Sequence, residues 1–289
     1  MRTVAPLAEM ASHAREARRA GRRIGLVPTM GALHAGHVAL VGCARANSDV
    51  VVMSVFVNPL QFGPAEDFAR YPRDLEGDAD VAARAGVDVL WAPAVEDMYP
   101  EPPQVTVAPG PAGDRLEGAV RRGHFVGVLT VVLKLFEVAA PDVAVFGRKD
   151  FQQAALVRRM VRDLNLPVEI VVAPTVREAD GLALSSRNAY LEPAERTRAI
   201  VLSRALAEAS AAFAAGERRP SVLEARARRV LEREADAVDY VACVGADDVA
   251  PLDAADAHSV LAVAARIGRT RLIDNVVLGR GLEGDARVP

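Results

Sequence analysis

The run Asp49-Val50-Val51-Val52-Met53-Ser54-Val55-Phe56-Val57 constrains the fold more than any other stretch of the chain. It is almost wholly apolar and rich in β-branched residues. Such a run marks a strand buried on both faces, and so a central strand of a parallel sheet. Shorter runs of the same character recur at 23–27, 87–91, 141–146 and 168–172. Between them the apolar spacing is helical, over 37 to about 46, 74–85 with Asp74 as N-cap, 125–140 and 151 to about 164. Strands alternating with helices over residues 1–175 predict an α/β fold with a doubly wound parallel sheet. A surface helix over 7–20, ended by Gly21, precedes the first of these strands. The proline-rich segment 92–113 offers only a short strand at 104–107.

After Pro174 the pattern changes. Residues 177–188 read as a polar loop, followed by helices over 193–215 and 221–234. Three strand-like runs come next, at 238–243, 260–265 and 270–277. Helices followed by consecutive strands predict a second, smaller α+β domain over 176–289. The tail 279–289 reads as disordered.

The chain of 289 residues suits one large or two ordinary domains. Its 35 Lys and Arg against 38 Asp and Glu leave a net charge of −3, which argues against a nucleic-acid-wrapping surface. Cys43 and Cys243 stand far apart in no ligand-like spacing, as expected of buried thiols in a reducing compartment. The first residues lack the apolar core of a signal peptide, and no run is long enough to span a membrane. Together these readings place the chain in the cytoplasm, without a membrane or nucleic-acid partner.

The chemistry concentrates after the strand at 23–27, in Val27-Pro28-Thr29-Met30-Gly31-Ala32-Leu33-His34-Ala35-Gly36-His37-Val38. A glycine-bearing turn between strand and helix lets the backbone approach phosphate, with the free N–H groups of the helix start facing the anion. His34 and His37 add donors where phosphate charge builds up. The pattern is neither GxGxxG nor GxxxxGK[ST]. Three further segments carry polar groups. Asn58 and Gln61 follow the second strand. Gly147, Lys149 and Gln153 follow the strand at 141–146. Ser185, Ser186 and Arg187 lie at the domain junction. Ligands of open α/β sheets bind beyond the carboxyl ends of strands, so these groups suit a triphosphate beside a small polar substrate. Arg121, Arg122 and His124, before the long helix, either face a phosphate or are solvated.

Read in order, VPTMGALHAGH, SVFVNPLQFG, YPRD, GHFVGVLTVVLKLF, FGRKDFQQ, TVREADGLALSSRNAYL and TRLIDN resemble the pantoate–β-alanine ligase (pantothenate synthetase) family, of the HxGH nucleotidyltransferase-like superfamily. The resemblance implies ATP-dependent condensation of pantoate with β-alanine through a pantoyl adenylate, releasing pyrophosphate and then AMP. It implies that Met30, Gly31, Ala32, Leu33, His34, Ala35, Gly36 and His37 line the ATP site. His34 and His37 would stabilise phosphate there, and His37 holds the position the family treats as a general acid. Asn58 would assist at the phosphates, and Gln61 and Gln153 would hold pantoate, with Gln61 also near β-alanine. Gly147, Arg148, Lys149 and Asp150 would wrap the adenosine, Lys149 reaching phosphate and Asp150 a ribose hydroxyl. Val176 would touch the adenine. Leu184, Ser185, Ser186 and Arg187 would form the closing loop, carried by the second domain over the site.

The resemblance further implies Mg2+ with ATP as co-substrate, no tightly bound organic cofactor, and a homodimer. The metal's protein contacts stay open, with Asp78 one candidate. Arg148 stands where the family usually has glutamate or glutamine; it either tightens phosphate binding or points to solvent. Two rivals remain: an adenylyltransferase making a stable nucleotide conjugate, and a nucleotide-sensing module with no turnover.

Overall fold

The computed structural model describes residues 1–64 and 66–288. It divides into two compact units, one of residues 1–147 with 156–173, the other of 148–155 with 174 onward. The first unit opens with β1 (Arg2–Val4), α1 (Leu7–Arg19), β2 (Ile24–Thr29), α2 (Ala35–Asn47) and β3 (Val50–Val55). There follow α3 (Leu75–Ala85), β4 (Val89–Trp91), the short α4 (Val95–Met98) and α5 (Glu117–Val120), and α6 (His124–Ala139). It ends with β5 (Val143–Gly147), α7 (Phe151–Asp163), whose residues 151–155 group with the second unit, and β6 (Glu169–Ala173).

Six strands form one sheet in the order β1-β4-β3-β2-β5-β6, and every pair is parallel. The order reverses at β2, with β3 on one side and β5 on the other, which makes the carboxyl ends of β2 and β5 a topological switch point. Val51 and Met53 of β3 are buried with Val27, Val41, Val143 and Val145, as expected of a strand covered on both faces. Two local readings change. Arg2–Val4 is a sixth, edge strand that the sequence did not announce. Residues 104–107 form no strand: Val105 is 85% exposed and the Val107 N–H donates to the Thr130 hydroxyl. Without a neighbouring backbone an alternating tetrapeptide has nothing to ladder with.

The second unit contains β7 (Val176–Arg177), α8 (Pro193–Arg198), α9 (Val201–Ala214), α10 (Pro220–Leu231), β8 (Ala237–Val244), β9 (Val260–Ile267), β10 (Thr270–Val277) and β11 (Ala286–Arg287). Its antiparallel sheet runs β10-β9-β8. Leu202 and Leu206 of α9 and Leu223 and Leu231 of α10 pack with Leu261, Val263, Leu272 and Val276 of that sheet. The helix expected over 193–215 is broken at Ala199 and Ile200 into α8 and α9.

Two segments differ more deeply from the sequence reading. Residues 177–188 are a hydrogen-bonded turn: Glu178 N–H donates to Leu182 O at 2.9 Å and Leu184 N–H to Val176 O at 2.9 Å. Residues 279–288 are ordered, with β11 pairing parallel to β7; Pro289 lies outside the described residues. The physical reason is shared. Arg177, a cation expected in solvent, is fully buried against Asp274 and the tail's Asp285. Among the described residues no helix is long and apolar enough to cross a membrane.

Candidate active site

In the first unit the site begins where β2 ends. Gly31 has φ +83° and Ala32 φ +51°, so the chain turns through the left-handed region twice before α2. Asp78, from α3, stabilises this turn: its carboxylate accepts the Ala32 N–H at 3.0 Å and the Leu33 N–H at 2.7 Å. Asp78 is buried, and that desolvation raises its pKa. The two N–H bonds only partly offset the effect, while nearby Asp74 adds to it. A side chain at Gly31 would sit 2.6 Å from Asp78 Oδ2, so the same contact that holds the turn excludes any larger residue.

His34 is the N-cap of α2. Its Nδ1 accepts the Gly36 N–H at 3.1 Å, and His37 Nδ1 accepts the His34 N–H at 3.2 Å. This is a capping box made of imidazoles. The rings lie 4.1 Å apart between centroids. With each Nδ1 an acceptor, the hydrogen of each neutral ring sits on Nε2.

Beyond β3, Asn58 and Gln61 are buried. Asn58 Nδ2 donates to Gln61 Oε1 at 3.1 Å and to Gly127 O at 3.0 Å. Its Oδ1 accepts from Leu60 N–H and the Tyr99 hydroxyl. Asn58 is thereby the brace of Gln61. A second brace acts on the Gln61 backbone: His124 Nδ1 lies 2.8 Å from its carbonyl, and Arg121 Nη2 donates to it at 3.3 Å. Arg121 is itself held by Glu66 through Nε at 2.9 Å. Arg121 and His124 thus neither face a phosphate nor stand in solvent; they shape the Gln61 turn.

Burial, reinforced by the Arg121 charge, pushes the His124 pKa down from 6.5 to about 4. The ring is therefore neutral at pH 7, donating from Nδ1 to Gln61 O and accepting from Arg121 at Nε2. Between pH 6.5 and 4 the unfolded chain binds this proton more readily than the folded one. The stability His124 contributes is present above pH 6.5 and lost as pH falls toward 4. Acidifying from pH 7 to 5 is expected to cost about 2 kcal/mol through this group. Urea unfolding at both pH values, compared with His124→Gln, checks it; an equal loss in both proteins removes His124 as the cause. Burial raises the Glu66 pKa, but Arg121 lowers it further, so the net shift is downward and its own effect comes at lower pH.

In the second unit the chain leaves β5 through a single 3-10 turn, Arg148–Asp150. Asn275, from β10, holds it: Nδ2 donates to Arg148 O and Lys149 O, both at 2.9 Å. Lys149 Nζ lies 3.8 Å from the Asp150 carboxylate. Arg148 turns from any phosphate role of its own to pair with Asp285. Ser185 caps the 3-10 turn Ser186–Tyr190, its Oγ accepting the Arg187 N–H at 3.3 Å. Val176 is buried in β7 and Leu184 is half-buried beside it. Gln153 sits in the first turn of α7, next to the buried Gln152. The sequence reading missed Asp78 as an anchor and missed Arg177, Asp274 and Asp285 altogether. The one signal available was the IDN triplet of β10, whose Asp and Asn are buried polar residues between the apolar Leu272-Ile273 and Val276-Val277.

The chain as a whole is similar to known proteins. The family model for pantoate-beta-alanine ligase matches residues 2–277. The pantothenate synthetase of Moorella thermoacetica is 53% identical over 283 residues, covering 96% of this chain and 99% of that protein. The crystal structure of the Thermus thermophilus pantothenate synthetase superposes with a TM-score of 0.91 at 48% identity, over 96% of this chain and 99% of the other. The Francisella tularensis ligase, complexed with β-γ ATP and β-alanine, gives 0.79 at 32% identity, over 98% and 99%. With nearly the whole length matched at these identities, and the histidine turn where the sheet order reverses, the chain belongs to the pantoate–β-alanine ligase family.

Proposed function

We propose that the chain condenses pantoate with β-alanine, using ATP, through an acyl adenylate. The observation that carries the reading is the reciprocally capped His34–His37 helix start at the carboxyl end of β2. A carboxylate is a poor electrophile because oxide would have to leave. In the first step a pantoate carboxylate oxygen attacks the α-phosphorus, and the bond to pyrophosphate breaks. In the second, the neutral amine of β-alanine attacks the acyl carbon. The bond to AMP breaks, and the amine nitrogen loses a proton as the amide forms.

The chain's residues divide this work. Residues Met30 to His37 line the phosphate site, and His34 and His37 donate from Nε2 as charge builds on the phosphate oxygens. Lys149, Ser185, Ser186 and Arg187 act on the same triphosphate. Gly147 and Asp150 wrap the adenosine, Asp150 reaching a ribose hydroxyl; Val176 touches the adenine, and Leu184 belongs to the closing loop. Gln61 and Gln153 hold pantoate, with Asn58 acting through Gln61 rather than on phosphate. Magnesium travelling with ATP would neutralise phosphate charge. Among the described residues no three metal-binding side chains converge, and both Asp78 oxygens already accept N–H groups, so no step is assigned to a protein-held metal. The reading needs no further organic cofactor; a cytoplasmic homodimer is part of it, and sedimentation tests the dimer.

Pyrophosphate–ATP exchange tests the first step. Exchange that requires pantoate, followed by AMP and pantothenate once β-alanine is added, is the expected result. A stable nucleotide conjugate would point to a transferase, and the absence of exchange would remove the adenylate.

Gly127 supplies an independent check on the pantoate pocket. A Cβ there would lie 2.2 Å from Leu60 O and 2.7 Å from Gln61 N, with backbone that cannot step aside. Gly127→Ala is expected to raise the pantoate KM at least tenfold, and to cost about 1–3 kcal/mol of stability. A pantoate KM within twofold of the parent would detach the Gln61 turn from substrate binding.

A further inference from the structure

Outside the residues matched by the family model, the segment after 277 places a carboxylate at the centre of the second unit's charge network. Asp285 is 3% exposed on its side chain and lies between two guanidinium groups. Arg177 Nε donates to its Oδ2 at 2.6 Å, and Arg148 Nη2 pairs closely with its Oδ1. Arg148 also donates to Gly284 O at 3.3 Å. Arg177 is in turn clamped by Asp274 through Nη1 at 2.7 Å and Nη2 at 2.9 Å. Two cations and two anions thus form one neutral, buried cluster. The backbone zips the tail beside it: Ala286 N–H donates to Thr175 O and Val288 N–H to Arg177 O, each at 3.0 Å.

The cluster reaches the 148–150 turn by two routes. Asn275 holds the carbonyls of Arg148 and Lys149, and Asp285 holds the Arg148 side chain. The turn is three residues long, and Lys149 is its middle residue. A lysine on a short turn has four rotatable bonds of its own, so its aim depends on how firmly the turn is fixed. We propose that Asp285 is a positioning residue for ATP: through Arg148 the tail fixes the turn that presents Lys149 to phosphate. The proposal rests on the reading of that turn as ATP-binding. It also gives Arg148 a role distinct from phosphate contact and from solvent exposure, since its charge is spent on the tail.

Three variants test it on the full chain: Arg148→Ala, Asp285→Ala and the double, with Lys149→Ala as control. Asp285→Ala leaves Arg177 with Asp274, and Arg148→Ala leaves the Arg177–Asp285 pair intact. The second variant therefore keeps the test readable should the first fold poorly. Each single variant is expected to raise the ATP KM about tenfold while kcat and the pantoate KM stay within about threefold. The double is expected to be no worse than the worse single, because both changes break one link. A merely structural role would instead lower thermal stability with no selective change in the ATP KM. ATP KM values within twofold of the parent in both singles, or additive effects in the double, overturn the positioning role alone if Lys149→Ala is still impaired. Undisturbed ATP kinetics in Lys149→Ala would overturn the ATP reading of the turn, and this proposal with it.

Discussion

Replacing His37 with alanine is expected to slow pantoate-dependent pyrophosphate exchange by about 10²–10³-fold, the effect of losing one donor aimed at charge that develops in the transition state. The side chain has a second job, since its Nδ1 accepts the His34 N–H at the start of α2. The alanine variant therefore also loses a cap, about 1 kcal/mol of stability. His37→Gln separates the two losses. Glutamine at the third position of a helix can reach back to the N-cap N–H, so stability should return while the rate stays low. A His37→Gln enzyme within tenfold of the parent rate would remove His37 from the chemistry and leave it a cap.

The largest effect on stability is expected from Arg177→Met. The guanidinium is fully buried. Burial by itself would lower its pKa, but Asp274 and Asp285 outweigh that and drive it above the usual arginine value. Removing it strands Asp274, 2% exposed on its side chain, without a cation. Breaking one side of a buried pair costs about 3–5 kcal/mol. A chain of this size should then lose on the order of 10 °C in Tm. The double variant Arg177→Met with Asp274→Leu is expected to recover much of the loss, because apolar packing can replace a buried pair once neither charge is left behind. A double variant as unstable as the single would mean that the hydrogen bonds to Gly181 O and Asn275 O, not the charges, carry the effect.

The sheet was legible because its central strands are short, largely apolar runs carrying several β-branched residues. Val50–Val55 and Val143–Gly147 need no partner to be recognised. Arg2–Val4 does. Only Val4 is buried, and the segment becomes a strand by pairing with Val89–Trp91, more than 80 residues on. The opposite error at 104–107 has the same origin, a plausible alternation with no neighbour. Site residues that touch ligands in this reading, such as His34, His37 and Lys149, stood out because motifs preserve spacing along the chain. Their supports did not. Asp78 binds backbone 46 and 45 residues away, Gly127 meets Asn58 across 69, and Asp285 meets Arg148 across 137. An acidic residue in a tail rich in glycine and charge looks solvated until the buried arginine that needs it is seen.

The imidazole cap has one more consequence. The three-residue offset between His34 and His37 is set by the geometry of a helix start, where the N-cap side chain and the third helical side chain serve each other's backbone. The same offset delivers two Nε2 donors side by side. Insertion or deletion of a single residue between them would therefore undo local folding and chemistry together. Substrate pockets built around such a start are free to diverge, whereas its spacing is not.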